Sequence, residues 1–213
     1  MPEEYSVYGI DVSHHNGKID WNLVAKYPVI GDRKLNFAYI KATEGGDHTD
    51  RNFAENWQKC KEAGIRRGAY HFFSPYKDAK EQAAHFIANV KLDTNDLAPV
   101  LDVEKRGLLS KKKLRKRVQI WLDSIEKHYG VKPILYTGNK FYHDYLHTDS
   151  SDYRLWIAHY GAADISVAKE WELWQISEKS KISGIRGFVD FNVYNGKIQR
   201  FDSAFVHLPP QAN

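Results

Sequence analysis

Short apolar runs alternate with amphipathic helical patterns along most of this chain, and that alternation constrains the fold more than any other feature. A run that stays apolar on consecutive residues reads as a strand buried on both faces. Such strands belong to parallel sheets covered by helices. Val7 to Val12 is the first. Asp20 is placed to cap a short helix carrying Trp21, Val24 and Ala25. Leu35 to Ala42 is the second strand, running into Thr43-Glu44-Gly45-Gly46. Asn52 then starts a helix with Phe53, Trp57 and Cys60 inward, stopped by Gly64.

Arg67 to Phe73 is the third strand, and the following helix puts Ala79, Ala83, Phe86, Ile87 and Val90 on one face. Leu97 to Val103 is the fourth, apolar until Asp102. Ser110 caps the longest helix, whose inward stripe is Leu114, Val118, Trp121, Leu122, Ile125 and Tyr129. Pro133 to Thr137 is the fifth strand, followed by a short helix from Asn139. The rhythm then changes. Arg154 to Ala158, Glu172 to Ser177 and Phe188 to Tyr194 read as three strands without clear helices between them. Five β/α units and three strands predict an α/β fold whose eight strands close into an irregular barrel. An open doubly wound sheet is the alternative, but the first strand-to-helix turn lacks G-x-G-x-x-G.

Composition removes several function classes. No apolar run approaches the ~20 residues of a membrane span. Met1 to Ser6 is polar and has no signal-peptide core, so the protein is cytosolic or its chain begins after a removed signal. The single cysteine, Cys60, permits no intrachain disulfide and falls on a buried helix face, a poor place for a nucleophile. There is no G-x-S-x-G elbow, P-loop or H-E-x-x-H. Aromatic residues make up 14% of the 213, enough for a core and for a groove that takes flat sugar rings. The net charge of +4 favours anionic partners.

In a β/α barrel the active site gathers at the carboxyl ends of the strands. Asp11, Glu44, His71, Asp102 and Glu104 fall at or near such ends, and the last strand carries Asp190. Residues i and i+2 of a strand share a side, so Asp102 and Glu104 enter the mouth together. Burial and the Asp102 charge are expected to raise the Glu104 pKa. A protonated acid beside ionised carboxylates is what glycosidic cleavage requires. A strand-end cap beside a solvated Glu is the plainer account of Asp102-Val103-Glu104 taken alone. His71 is expected to reach a carboxylate or a sugar from the barrel interior. His14 and His15, if on a strand, face opposite sides, so no metal is expected. The basic run Lys105, Arg106, Lys111 to Lys113 and Arg115 to Arg117 reads as a solvated helix face outside the groove. Its lack of interleaved aromatics speaks against a nucleic-acid groove.

The motifs together resemble glycoside hydrolase family 25, the Chalaropsis-type lysozymes. The matching segments are Gly9-Ile10-Asp11-Val12-Ser13, Tyr39-Ile40-Lys41-Ala42-Thr43-Glu44-Gly45, Gly68-Ala69-Tyr70-His71-Phe72 and Pro99-Val100-Leu101-Asp102-Val103-Glu104. Leu135-Tyr136-Thr137, Leu155-Trp156-Ile157-Ala158, Trp174-Gln175-Ile176-Ser177 and Val189-Asp190-Phe191-Asn192 follow in the family's order. The resemblance implies a flattened, irregular TIM-like barrel. It implies a muramidase that cuts the β-1,4 bond between N-acetylmuramic acid and N-acetylglucosamine. It implies Glu104 as general acid, Asp102 as the acid that assists at the anomeric centre or steers the N-acetyl group, and Asp11 and Asp190 as flanking acids. Glu44, Tyr70, His71, Tyr136, Trp156 and Trp174 become candidate substrate contacts. His14-His15-Asn16 departs from the Trp-Gln pair frequent in the family.

The expectation is therefore one catalytic domain over residues 1–213 (core about 7–205), a monomer acting on bacterial peptidoglycan without cofactor, metal or nucleic acid. Its expected location is extracellular or in the cell envelope, with the cytoplasm open. The alternatives are a chitinase-like hydrolase of N-acetylglucosamine polymers and a wall-binding protein that has lost catalysis.

Overall fold

A computed structural model describes residues 4–148, 152–162, 165 and 170–204. Eight strands form the barrel: β1 (Tyr8–Val12), β2 (Phe37–Glu44), β3 (Arg66–Phe72), β4 (Val100–Asp102), β5 (Ile134–Gly138), β6 (Arg154–Ala158), β7 (Leu173–Ser180) and β8 (Val189–Tyr194). β1 through β7 run parallel in chain order. β8 is antiparallel to both β7 and β1, and by bonding to β1 it closes the ring. The fold is thus the eight-stranded irregular barrel read from the sequence, with the direction of the last strand as an addition. Two short strands, Pro28–Ile30 and Arg33–Lys34, pair beside it, and His48–Thr49 extends the end of β2.

Among the described residues, α1 (Trp21–Lys26), α2 (Phe53–Glu62), α3 (Ala79–Asn89) and α4 (Lys111–Tyr129) cover the outside, and α5 (Ile198–Ala204) follows the last strand. The Asp20 carboxylate accepts from the Asn22 and Leu23 amides, and Asp78 likewise caps α3. Ser110 caps α4, and Gly130 ends it in the left-handed region at φ 70°. The whole predicted inward stripe of α4 is buried. Trp57 of α2 is only half-buried and lies 4.0 Å from the Arg67 guanidinium. β4 is shorter than the apolar run that predicts it. Pro99 has no amide proton to give the ladder, so regular pairing starts at Val100. After β5 only a short helical stretch, Asn139–Leu146, follows. No helix separates β6, β7 and β8 among the described residues.

Strand alternation divides the core. An outer layer lies between strands and helices, and an inner column fills the barrel. The column is aromatic, with Phe37, Tyr39, Tyr136, Trp156, Tyr194 and Phe201 in successive ring contacts. Two glycines make room for it. A Cβ on Gly9 would meet the Phe37 ring at 2.3 Å, and one on Gly68 would meet the Tyr39 ring at 2.2 Å. The aromatic content of the chain is therefore largely the filling of this barrel, and its uppermost rings become the floor of a cleft.

Candidate active site

The cleft opens at the carboxyl ends of the parallel strands and has a volume of about 440 Å³. Asp11 comes from the end of β1, Asp102 from the end of β4, and Glu104 from two residues further on. Asp190 lies near the start of β8, and it reaches the same mouth because β8 runs the other way. Asp11 and Asp190 are register partners across the β1–β8 ladder. Val103 is fully buried behind the cleft, its amide bonding to the Tyr136 carbonyl and its carbonyl accepting from Thr137 Oγ1 at 2.7 Å. This turn leaves Asp102 and Glu104 on the same side, as the i, i+2 spacing requires.

A hydrogen-bond network fixes the first pair. Gln175 Nε2 and Asn192 Nδ2 each donate to Asp11 Oδ2 at 2.8 Å. Gln175 Oε1 accepts from the Tyr136 and Tyr160 hydroxyls at 2.7 and 2.6 Å, and Asn192 Oδ1 accepts from Trp156 Nε1 at 2.9 Å. The Trp156 indole can only donate, so it fixes the Asn192 amide with its N–H toward Asp11, and Gln175 presents its own N–H beside it. Burial raises the Asp11 pKa, while the bonds from Asn192, Gln175 and Asp190 oppose that rise. Asp190 is pushed up to about 8 by burial, by the Asp11 charge and by its bond to Asp11. Asp190 is therefore the member that keeps a proton and donates it to Asp11.

The second pair is held differently. Asp102 is buried, and its Oδ1 has no hydrogen-bond partner among the described residues. Burial first, then the charges of Glu104 and Asp11, lift its pKa well above the carboxylate range. Glu104 is open to solvent along part of its side chain, yet crowding by the cleft walls and the Asp11 charge raise it too, against Lys105 and Lys41. The expected rise of Glu104 is present, but the neighbour effect runs the other way. Glu104, the better solvated acid, ionises first, and its charge holds the proton on Asp102.

Glu44, Tyr70, Tyr136 and Trp156 line the cleft. Two candidates do not. His71 is fully buried on the outer side of β3, bonded to Thr43 Oγ1 (2.7 Å) and Gln82 Oε1 (3.1 Å) and stacked on Trp121. Tyr70 and Phe72 take the inner side, so His71 falls behind the wall. Trp174 also faces outward, donating to the His159 carbonyl, while its neighbour Gln175 faces in. The sequence points to Trp174, whereas Gln175, Tyr160, Glu178 and Lys41 line the cleft and Asn192 bonds Asp11. A signal exists for Gln175 and Asn192, since a Gln or Asn inside an apolar strand demands buried hydrogen-bond partners.

His14 and His15 stand on a 3-10 turn, not a strand, with ring centroids 4.0 Å apart. His14 Nδ1 lies 2.7 Å from the buried Asp50 carboxylate, and His15 borders the cleft. No group of His, Cys, Asp and Glu among the described residues is arranged to hold a metal ion. No described helix is long and apolar enough to cross a membrane. The basic run is only partly a solvated face. Arg115 donates to the Tyr145 and His147 carbonyls, and Arg117 to the Pro75 carbonyl.

Four carboxyls in two pairs above an aromatic floor, at the carboxyl mouth of a closed β/α barrel, are the kind of groups that glycosidic cleavage uses. The model of the glycosyl hydrolases family 25 matches residues 10–185, and the chain belongs to that family. The uncharacterized protein YegX of Escherichia coli strain K12 is 46% identical over 97% of this chain and 75% of its own length. Lysozyme M1 of Streptomyces globisporus is 31% identical over 91% of this chain and 69% of its own. The solved family 25 glycosyl hydrolase from Bacillus anthracis shares the fold with a TM-score of 0.88 and 31% identity, covering 97% of this chain and 96% of that one.

Proposed function

We propose that this glycosidase is an N-acetylmuramidase, hydrolysing the β-1,4 bond between N-acetylmuramic acid and N-acetylglucosamine in bacterial peptidoglycan. The observation that carries the reading is the delivery of Asp102 and Glu104 by one strand into a cleft already holding the Asp11–Asp190 pair. The kinship with a protein named as a lysozyme supports the substrate.

Glu104 is the general acid. In the free cleft it is part-solvated, and a glycan lying over it would remove that water. Burial disfavours the charged form, so substrate raises the proton affinity of Glu104 when the proton is needed. Asp102 lies at the floor with one oxygen uncommitted, placed to meet the N-acetyl group or the anomeric centre. Asp11, with three donors, supplies fixed negative charge for an oxocarbenium-like centre. Tyr70, Tyr136 and Trp156 offer ring surface to the sugar, and Glu44 borders the same groove.

Mass spectrometry of products from purified peptidoglycan tests the activity. Fragments ending in reducing N-acetylmuramic acid are expected. Reducing N-acetylglucosamine ends would assign the other glycosidic bond, and chitin cleavage without wall cleavage would move the substrate elsewhere.

A further inference from the structure

The lysines at the start of α4 break a local rule. A helix N-terminus carries partial positive charge and favours acids. The first turn of α4 has no acidic residue and three consecutive lysines, Lys111, Lys112 and Lys113, all exposed. The arginines further along have a structural task, bonding the carbonyls of neighbouring loops. Lys112 and Lys113 have no ion-pair partner among the described residues. Lys111 lies 5.6 Å from the centre of the Tyr145 ring, but nothing among the described residues repays the charges of Lys112 and Lys113 at a helix start, and such an arrangement points to something outside the fold.

The surroundings indicate what. The loop between β4 and α4 carries Leu108, 95% exposed, and the loop between β3 and α3 carries Tyr76, 74% exposed. The two loops touch, since a Cβ on Gly107 would lie 3.1 Å from the Tyr76 ring. Both loops leave the mouth of the barrel. The patch begins inside the cleft, where Lys105 is part of the lining. One loop thus joins the rim to the substrate groove, running from Lys105 in the lining past exposed Leu108, beside Tyr76, to the lysines that open α4.

We propose that this rim docks the acidic peptide stems that muramic acid carries, so that the enzyme prefers peptide-bearing glycan to bare glycan. The inference rests on the muramidase reading. A strand seated in the cleft projects a lactyl-linked peptide from every muramic acid. The stem's carboxylates match the lysines, and its alanine methyls match Tyr76 and Leu108. An anionic membrane has similar chemistry, but it is not tethered to the occupant of the cleft, whereas the patch grows out of that cleft.

The probes are soluble tetrasaccharides of alternating N-acetylglucosamine and N-acetylmuramic acid, with and without an L-Ala–D-Glu stem on each muramic acid. The expected kcat/KM at low salt favours the stem-bearing probe by about tenfold, the lower end of what charge steering adds. That preference should vanish near ~1 M sodium chloride, where the screening length is about 3 Å. In the triple variant Lys111→Gln, Lys112→Gln, Lys113→Gln the two probes should be cut at near-equal rates, with turnover of the bare probe unchanged. The unchanged bare-probe rate also shows the variant folded. A wild type without preference, or a variant that keeps it, overturns the proposal. Failure to cut either probe overturns the muramidase reading itself. Equal turnover of both probes, with lysine-dependent sedimentation on phosphatidylglycerol vesicles, reassigns the rim to a membrane.

Discussion

The two acid pairs at the barrel mouth contain the same kind of group and are built by opposite means. Asp11 and Asp190 come from the first and last strands and meet across a ladder. They are held by Gln175, Asn192 and Asp190's own proton. Asp102 and Glu104 come from a single strand end, two residues apart, and one Asp102 oxygen has no described partner. The first pair is saturated with donors and stays fixed. The second is left unsaturated, and Asp102 lines the cleft, where a ligand can reach its unpaired oxygen. Under the proposed function, chemistry falls to the loosely bonded pair and electrostatic anchoring to the tightly bonded one.

The sharpest way to break that contrast is Glu104→Gln. The amide keeps the volume and loses the proton, so kcat should fall by about 10²–10⁴-fold, the usual size of acid–base catalysis. Single-turnover cleavage with folding checked by circular dichroism measures it, and more than about a tenth of wild-type kcat, well above that range, would move the acid elsewhere. Gln175→Leu attacks the saturated pair instead. It leaves the Tyr136 hydroxyl and one Asp11 lone pair without their partner. The cost should be about 1–3 kcal/mol of stability, the penalty for a buried orphan. Because the lost donor favoured charged Asp11, the acid limb of the pH–rate profile should also move to higher pH. A variant that melts like wild type would show the network to be ornamental.

Asp190→Asn has a smaller effect with a definite sign. Asp190 holds its proton in the fold up to about pH 8, whereas the unfolded chain releases it in the ordinary aspartate range. The folded state binds the extra proton between those limits, so this residue's contribution to stability falls as pH rises through that window. An amide needs no such proton. At pH 9 the variant should melt about 2–4 °C above wild type, the shift of 1 kcal/mol in a domain of this size. The alkaline limb near pH 8 should disappear with it. His71→Gln is the smallest. His71 lies behind the wall, so kcat per folded molecule should stay within about twofold, far below the ~10²–10⁴-fold loss of a catalytic acid or base. A large loss of kcat in a folded protein would bring His71 back into the site.

The same contrast explains what the sequence discloses. A pair inside one strand is legible locally, because side-chain alternation puts Asp102 and Glu104 on one side without knowledge of any partner. A pair across strands is not, because it depends on which strands close the ring and in which direction. That Asp11 meets Asp190 follows only once β8 is known to run antiparallel. The strand order and helix faces were readable, since apolar periodicity records burial directly. Which of Trp174 and Gln175 faces the mouth was not, since a one-residue choice of register exchanges the two sides. His71 shows the same ambiguity, being buried as foreseen but on the other side of the sheet.

Closure by the last strand also sets an order in time. Asp11 bonds Gln175 and Asn192, which lie 164 and 181 residues downstream. A ribosome releases Asp11, Asp102 and Glu104 long before those partners exist. The nascent chain therefore carries its proposed general acid without the anchoring pair, and the hydrolase cannot assemble its centre until β8 has emerged and docked on β1.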